Sequence, residues 1–150
     1  MNDADFAPIQ TEWDDRSVEQ AVDEAIALKL TSVKKSSMKL GPYNGFSGDV
    51  RVLADWKIKL AIELKLIPRP TRCSVCSKST GRVDYHAENY GRPLQVAPIC
   101  QGCHLALHNR LRGAAYAESW KRRVGQYGDG TKWFERKRAI NPVLERRAGV

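Results

Sequence analysis

Seven side chains of metal-binding type are concentrated in the middle of the sequence. Four of them are cysteines in two pairs, each with two residues between its members: Cys73 and Cys76, then Cys100 and Cys103. This separation lets a tight turn direct two sulfur atoms at one ion, and two such turns supply the four thiolates that hold Zn²⁺ tetrahedrally. Because four thiolates leave no open coordination position, we expect this zinc to stabilise the fold and to take no part in catalysis.

The chain has three histidines, His86, His104 and His108, all between or just beyond the cysteine pairs. On a helix, His104 and His108 share one face because they are four residues apart, whereas Cys103 lies about 100° of rotation before His104. One helix would then serve two sites, with zinc on one side and the histidines on the other. The alternative is three surface histidines with no common purpose.

Turn residues and apolar spacing predict the elements that position these side chains. Residues 82–86 and 94–99 are typical of strands, and residues 101–112 are typical of the helix that carries the histidine pair. The cysteine pairs therefore lie at either end of a predicted strand–strand–helix unit. Disulfide bonds are a competing interpretation of the cysteines, but we expect a cytoplasmic protein, because the acidic N-terminus does not resemble a signal peptide.

Helices are predicted on both sides of this unit. Ser17, with Gln20 three residues later, resembles a capping box that begins a helix ending near residue 30. Asp49 is the expected N-cap of a second helix, which ends before Pro68. The other predicted elements are a basic loop at 31–48, a helix at 114–124 and a short basic helix beginning at Thr131. The predicted parts of the chain are an acidic N-terminal tail (1–16), a helical region (17–68), a zinc-bound core (69–112) and a basic helical extension (113–150).

Charge is distributed unevenly along the chain. Residues 1–28 hold eight acidic residues and one basic residue, whereas residues 29–103 hold thirteen basic and five acidic residues, and residues 104–150 hold eleven and four. A basic body favours a polyanionic partner, most often nucleic acid, although a solvated surface is the plainer interpretation. We expect no membrane association, since no run of residues approaches the ~18 apolar residues of a membrane span.

Residues 73–108 resemble the zinc-containing branch of the HNH endonuclease family, whose fold is a ββα-metal motif. The segment from Pro93 to His108 follows the family pattern of strand, second cysteine pair, histidine directly after the last cysteine, and a further histidine one helical turn later. The resemblance implies an α+β fold, in which a ββα-metal core is held by the four-cysteine zinc site and flanked by N- and C-terminal helices.

The resemblance also implies roles for individual residues. His104 and His108 would bind a catalytic divalent metal such as Mg²⁺, Mn²⁺ or Ni²⁺. Gln95 stands where the family often has Asn, and it would brace the loop through its side-chain amide. His86 would be the general base that activates water.

The first half of the motif departs from the family pattern, which has two adjacent polar residues at this point. If His86 is the first of them, Ala87 fills the base position, and if His86 is the second, Tyr85 fills the ligand position. We assign His86 as the base, with Asp84 or Glu88 supplementing the metal ligands. Asp84 and His86 are two residues apart on a strand and should therefore face the same way.

We therefore expect a metal-dependent endonuclease that hydrolyses DNA, with double-stranded DNA as the expected substrate. The alternative is a catalytically inactive, zinc-stabilised nucleic-acid-binding protein on the same scaffold. The sequence leaves open RNA as the substrate, the oligomeric state (monomer or homodimer) and the role of residues 1–68. The residues expected to contact phosphates are Arg110, Arg112, Lys121, Arg122, Arg123, Lys132, Arg136, Lys137 and Arg138.

Overall fold

The computed structural model describes residue 9 and residues 11–127. This part of the chain has four helices and one antiparallel two-stranded sheet, which confirms the α+β part of the predicted fold. None of its helices has the length and apolar character needed to cross a membrane. The elements are α1 (Asp15–Ala27), α2 (Gly48–Glu63), β1 (Val83–His86), β2 (Ala97–Cys100), α3 (Gln101–Asn109) and α4 (Ala114–Tyr127).

The two N-terminal helices begin slightly earlier than predicted. Asp14, and not Ser17, is the N-cap of α1, and its carboxylate accepts a hydrogen bond from the Ser17 amide at 3.2 Å. Ser47, and not Asp49, caps α2 and accepts from the Val50 amide at 3.3 Å. In both cases the residue chosen from the sequence lies in the first helical turn, where acidic and small polar residues are also common.

Helices α1 and α2 pack against each other and against the segment that leads into β2. Val22, Leu60 and Leu94 are fully buried in this contact. Trp13 extends the contact, because its indole Nε1 donates to the Leu94 carbonyl at 2.9 Å. The N-terminal helices therefore share a core with the strand region.

Ion pairs attach the acidic start of the chain to the same region. Asp15 accepts two hydrogen bonds from the Arg92 guanidinium, at 3.0 and 2.7 Å. On the next turns of α1, Glu19 and Asp23 both pair with Lys57 of α2, at 2.9 and 3.0 Å. Asp15, Glu19 and Asp23 are thus used inside the fold, where they neutralise Arg92 and Lys57.

The sheet places β1, which ends at His86, beside β2, which ends at Cys100 of the second cysteine pair. Val83 pairs with Cys100, and His86 pairs with Ala97. The second strand is shorter than predicted, since the chain makes a turn at Gln95, whose backbone amide donates to the Arg92 carbonyl at 3.0 Å.

The two C-terminal helices also differ in extent from the prediction. Helix α3 ends at Asn109 and not at residue 112. Helix α4 continues past Gly125 to Tyr127, because one glycine costs a helix only about 1 kcal/mol and does not have to end it. Trp120 of α4 is buried against Ile99 and the cysteines, so it is a core residue.

A tight turn lies within the segment predicted as a basic loop. Tyr43 and Phe46 exchange two backbone hydrogen bonds, at 3.0 and 2.9 Å, around Asn44 and Gly45, whose φ angles are 49° and 83°. Two successive positive φ values are typical of a type I′ turn, for which Asn-Gly is the favoured dipeptide. The turn directs the Tyr43 and Asn44 side chains into the protein, where both are buried.

Gly48 fixes the approach of this segment to α2. A Cβ atom at Gly48 would lie 1.7 Å from the Leu40 carbonyl oxygen, so no other residue fits without a backbone shift. The close approach holds the chain before the turn against the first turn of α2.

Candidate metal-binding and active site

The four cysteines converge on one point. The sulfur atoms of this cysteine cluster (Cys73, Cys76, Cys100 and Cys103) all lie within 4.8 Å of one another. Cys76 Sγ and Cys100 Sγ are 3.8 Å apart. A tetrahedral zinc ion with Zn–S bonds of about 2.3 Å places its sulfur ligands about 3.8 Å apart, so the cluster fits zinc. All four cysteines are free thiols, as the zinc interpretation requires.

Local turns aim the sulfur atoms. In the first pair, the Ser77 amide donates to the Cys73 carbonyl at 3.0 Å, and Ser77 has a positive φ of 61°. Ser74 fastens this turn to β2, because its amide and its hydroxyl both donate to the Pro98 carbonyl, at 2.8 and 2.7 Å. In the second pair, Cys100 is the N-cap of α3, and its sulfur accepts from the Cys103 amide at 3.5 Å.

The cysteine cluster requires a cation to be fully deprotonated. Burial acts to raise the pKa of Cys100, but the hydrogen bond from the Cys103 amide and the adjacent thiols lower that pKa to about 7. Burial and the neighbouring Cys100 raise the pKa of Cys103, although the Arg123 guanidinium acts to lower it. Arg123 Nη1 donates to Cys103 Sγ at 3.3 Å. Arg123 was expected to contact phosphate, but this bond directs it to the cysteine cluster instead.

The three histidines form a second group of converging ligand atoms. His86 ends β1, while His104 and His108 project from α3, and their ring nitrogens lie within 4.8 Å of one another. His104 Nε2 is 3.1 Å from His86 Nδ1 and 3.0 Å from His108 Nε2. We call these residues the histidine cluster. Asp84 was expected to join them, but in the structure its carboxylate pairs with Arg82 at 2.7 Å.

Hydrogen bonds cannot account for both of the short nitrogen–nitrogen contacts within the histidine cluster. His86 Nε2 is 2.6 Å from the Glu88 carboxylate, so this nitrogen carries the hydrogen and the lone pair of Nδ1 faces His104. His104 Nε2 has one hydrogen or one lone pair to offer, yet it faces two ring nitrogens at hydrogen-bond distance. A shared cation would accept all three lone pairs, and a carboxylate behind a histidine is the usual support of such a ligand.

The electrostatic surroundings keep the three imidazoles neutral, which is the state that binds metal. Burial is the main cause for each of them. It lowers the pKa of His86, where Glu88 opposes the effect and Arg110 and Arg51 add to it. Burial, His86 and Arg51 together lower the pKa of His104 to about 3. The pKa of His108 is also held well below its usual value, by burial and by the other two histidines.

Glu88 is the centre of a buried polar network behind His86. The Tyr43 hydroxyl donates to its Oε1, and Asn44 Nδ2 donates to its Oε2 at 2.7 Å. Arg110 Nη2 also reaches Oε2, at 3.3 Å, and its Nη1 donates to the Tyr43 hydroxyl at 2.8 Å. Burial acts to raise the pKa of Glu88, but Arg110 and His86 outweigh it, and the pKa is lowered. The carboxylate is therefore an ion that orients His86, and it does not join the ligand atoms of the cluster.

Two sequence assignments change because of this network. Arg110 is fully buried, so it neutralises Glu88 and does not contact phosphate. His86 was expected to be the general base, but both of its ring nitrogens are engaged. Ala87, which fills the base position in one of the two alignments of the first motif, packs among buried apolar side chains.

Gln95 is buried at the turn before β2, and the hydrogen bond described for it comes from its backbone amide. The bracing role of the Gln95 side chain stays a prediction. In the same loop, Asn89 Oδ1 accepts a hydrogen bond from the Gly91 amide at 2.9 Å. Gln95 and Asn89 both lie within the HNH-like segment, so the sequence alone did not indicate which side-chain amide braces the loop.

A cavity of about 160 Å³ opens beside the histidine cluster. Helix α2 forms one wall with Arg51, Asp55 and Ile58, which are spaced i, i+4 and i+7 and so share a face. No role was predicted for α2 from the sequence, although two charged residues on its apolar face were a usable signal. The other lining residues are Leu40, Tyr85, His86, Ala87, Tyr90, His104 and His108.

A second cavity of about 520 Å³ adjoins the first, since Arg51 and His108 line both. Arg112 stands at its edge and is exposed, as expected for a phosphate contact. A larger cavity of about 860 Å³ lies at the end of α2, but its lining contains no histidine or cysteine. We therefore place the candidate site at the two smaller cavities.

The remaining basic residues fall into two groups. Lys121 and Arg122 are exposed on α4. The predicted helix from Thr131 lies outside the described residues. So do the other predicted phosphate contacts, which are Lys132, Arg136, Lys137 and Arg138.

Comparisons of the chain with protein-family models, with curated proteins and with solved structures found no match.

Proposed function

We propose that this protein is a metal-dependent endonuclease of HNH type that hydrolyses phosphodiester bonds in DNA. In this proposal β1, β2 and α3 form the ββα-metal core, and zinc occupies the cysteine cluster. The observation that carries the proposal is the convergence of three imidazole nitrogens, 3.0 and 3.1 Å apart, beside a small cavity lined by an arginine and an aspartate.

The histidine cluster supplies three ligands to the catalytic metal and leaves coordination positions for other ligands. Imidazole nitrogen favours Mn²⁺, Ni²⁺ or Zn²⁺, whereas Mg²⁺ prefers oxygen ligands. A divalent cation bound there would stabilise the negative charge that develops on the phosphoryl oxygens. Glu88 acts behind the cluster, because its bond to His86 Nε2 keeps the lone pair of Nδ1 directed at the shared point.

Asp55 is the residue to which we assign the water proton. Position 87 cannot hold a base and His86 is a ligand in this arrangement, so the proton acceptor must come from elsewhere. Among the described residues that line the 160 Å³ cavity, Asp55 alone carries a carboxylate. It is half-exposed, and its pair with Lys59 at 2.7 Å lies at the surface, so the carboxylate is accessible to water.

One observation favours the inactive alternative, a zinc-stabilised protein that binds nucleic acid without cutting it. The base position of the family pattern is filled by Ala87, which is packed into the core. Metal-dependent cleavage distinguishes the two functions.

The test is nicking of supercoiled plasmid with Mg²⁺, Mn²⁺ and Ni²⁺ in turn. We expect metal-dependent nicking by the wild type, none by His104→Ala, and a rate about 10²- to 10⁴-fold lower for Asp55→Asn. Asp49→Asn is the matched control, since Asp49 is exposed on the same helix and does not line the cavity. Plasmid binding without nicking under every metal would support the inactive alternative, and equal rates for the two aspartate variants would remove Asp55 from the mechanism.

A further inference from the structure

Arg51 is held in place by neutral groups. Its Nη1 donates to the Gly41 carbonyl, and its Nε donates to the Tyr90 hydroxyl at 3.4 Å. The guanidinium carbon lies 5.5 Å from the ring centroid of Tyr43 and 5.8 Å from that of Tyr90. These contacts fix the position of the guanidinium, but none of them neutralises its charge.

Other arginines near the site are neutralised by carboxylates. Arg110 pairs with Glu88 at 3.3 Å, and Arg92 pairs with Asp15 at 2.7 Å. Within residues 11–127, by contrast, no carboxylate lies within 4.0 Å of the Arg51 guanidinium nitrogens. In the described part of the chain, Arg51 is thus a half-buried, positioned positive charge with no carboxylate in ion-pair contact.

The location of Arg51 indicates what the counter-ion is. Arg51 and His108 line both the 160 Å³ and the 520 Å³ cavity, so the guanidinium stands where the two meet beside the histidine cluster. A guanidinium presents its N–H donors in a planar fork that matches two oxygens of a phosphate, and partial burial strengthens the attraction by lowering the local dielectric. A second, exposed guanidinium, that of Arg112, lines the 520 Å³ cavity.

We propose that Arg51 is an anion-binding residue that holds a phosphate group over the histidine cluster. The identity of that group as the scissile phosphodiester of a nucleic acid rests on the proposed function, whereas the anion site itself rests on the contacts of Arg51. In the proposed reaction Arg51 binds the non-bridging oxygens and orients the phosphorus atom toward the cavity that Asp55 lines.

The first test uses inorganic phosphate as the probe and protein loaded with one equivalent of zinc, with no further metal added. We expect phosphate to shift the Arg51 Nε–Hε resonance in NMR spectra. We also expect Arg51→Gln to weaken phosphate binding at least tenfold, with Arg51→Lys between the two. Arg72→Gln is the matched control, because it removes the same charge from an exposed arginine that lies on the first cysteine turn, outside both cavities. Melting temperature and bound zinc verify that each variant is folded.

The second test measures cleavage of a DNA duplex under single-turnover conditions with Mn²⁺. Removal of one oxyanion-hole donor lowers rates about 10²- to 10³-fold, and we expect a loss of similar size in Arg51→Gln with unchanged Mn²⁺ affinity. Phosphate binding that is equal in the wild type and Arg51→Gln would overturn the anion site. Arg51-dependent phosphate binding by a wild type that cuts no DNA would uphold the anion site and overturn the endonuclease.

Discussion

Replacing Glu88 with glutamine tests whether the buried network organises the site. Glu88→Gln keeps the size and shape of the side chain but removes its charge, and it leaves the guanidinium of Arg110 buried without a counter-ion. The two groups are 3.3 Å apart and only 2% and 0% exposed, respectively. At an effective dielectric constant of 20, their attraction is about 5 kcal/mol. Loss of one partner of a buried pair commonly destabilises a protein by about 3–5 kcal/mol, so we expect a loss in that range.

The same substitution acts on metal binding through His86. Without the carboxylate, the Nε2–H bond that sets the orientation of His86 is weakened. Loss of such a supporting group typically lowers metal affinity about 10- to 100-fold. We expect this loss at the histidine cluster, with zinc affinity at the cysteine cluster unchanged.

Two measurements separate these effects. Urea unfolding at saturating zinc gives the free energy of unfolding, and a competition titration of Ni²⁺ into the zinc-loaded protein gives the affinity of the histidine cluster. The double variant Glu88→Gln, Arg110→Met is the control, because it removes both buried charges. It should recover most of the stability but none of the Ni²⁺ affinity. If Glu88→Gln unfolds within about 1 kcal/mol of the wild type and binds Ni²⁺ equally well, the network does not have the role assigned to it.

Three further outcomes are expected. Cys76→Ser should bind no zinc and lose its tertiary structure, because zinc-site energy is folding energy in small metal domains, and near-ultraviolet circular dichroism with zinc analysis measures both. Gly48→Ala should lower the free energy of unfolding by about 1–3 kcal/mol in urea, whereas Gly41→Ala, which has open space around its new methyl group, should change it by less than about 0.5 kcal/mol. Arg123→Met should weaken zinc binding about tenfold in a chelator competition while Arg122→Met does not, and equal affinities would show that the sulfur contact is incidental.

The grouping of the metal-binding side chains followed from local sequence. Two cysteine pairs of fixed internal spacing could be recognised because a tight turn converts that spacing into sulfur positions. Convergence of His104 with His108 followed from helical periodicity. The convergence of His86 was expected from the strand order and is confirmed, since the sheet pairs its strand with the one that leads into α3. Zinc itself, the catalytic metal and the endonuclease activity stay predictions.

Roles that depend on tertiary contacts could not be predicted in the same way. Glu88 and Arg110 are 22 residues apart, and each resembles a surface charge until the fold buries both. The supporting contacts of Tyr43 required a turn whose Asn-Gly signal was present, but whose partner across the fold was not recognisable from spacing. Arg51 illustrates the same limit. Within the described part of the chain no carboxylate lies within 4.0 Å of its guanidinium nitrogens, and no local sequence pattern indicates that.

Helix α3 makes the histidine cluster dependent on the cysteine cluster. The helix has nine residues, which is too short to persist alone in water, and its N-cap and first turn belong to the cysteine cluster. His104 and His108 lie immediately beyond, so they acquire their spacing only once the sulfur atoms hold the start of the helix. Under the proposed function, dependence between the ions runs one way: withdrawal of zinc dismantles both clusters, whereas withdrawal of the catalytic metal leaves the zinc-bound fold intact. The enzyme would therefore be active only when zinc is available, and in a zinc-starved cell it would be inactive at any manganese concentration.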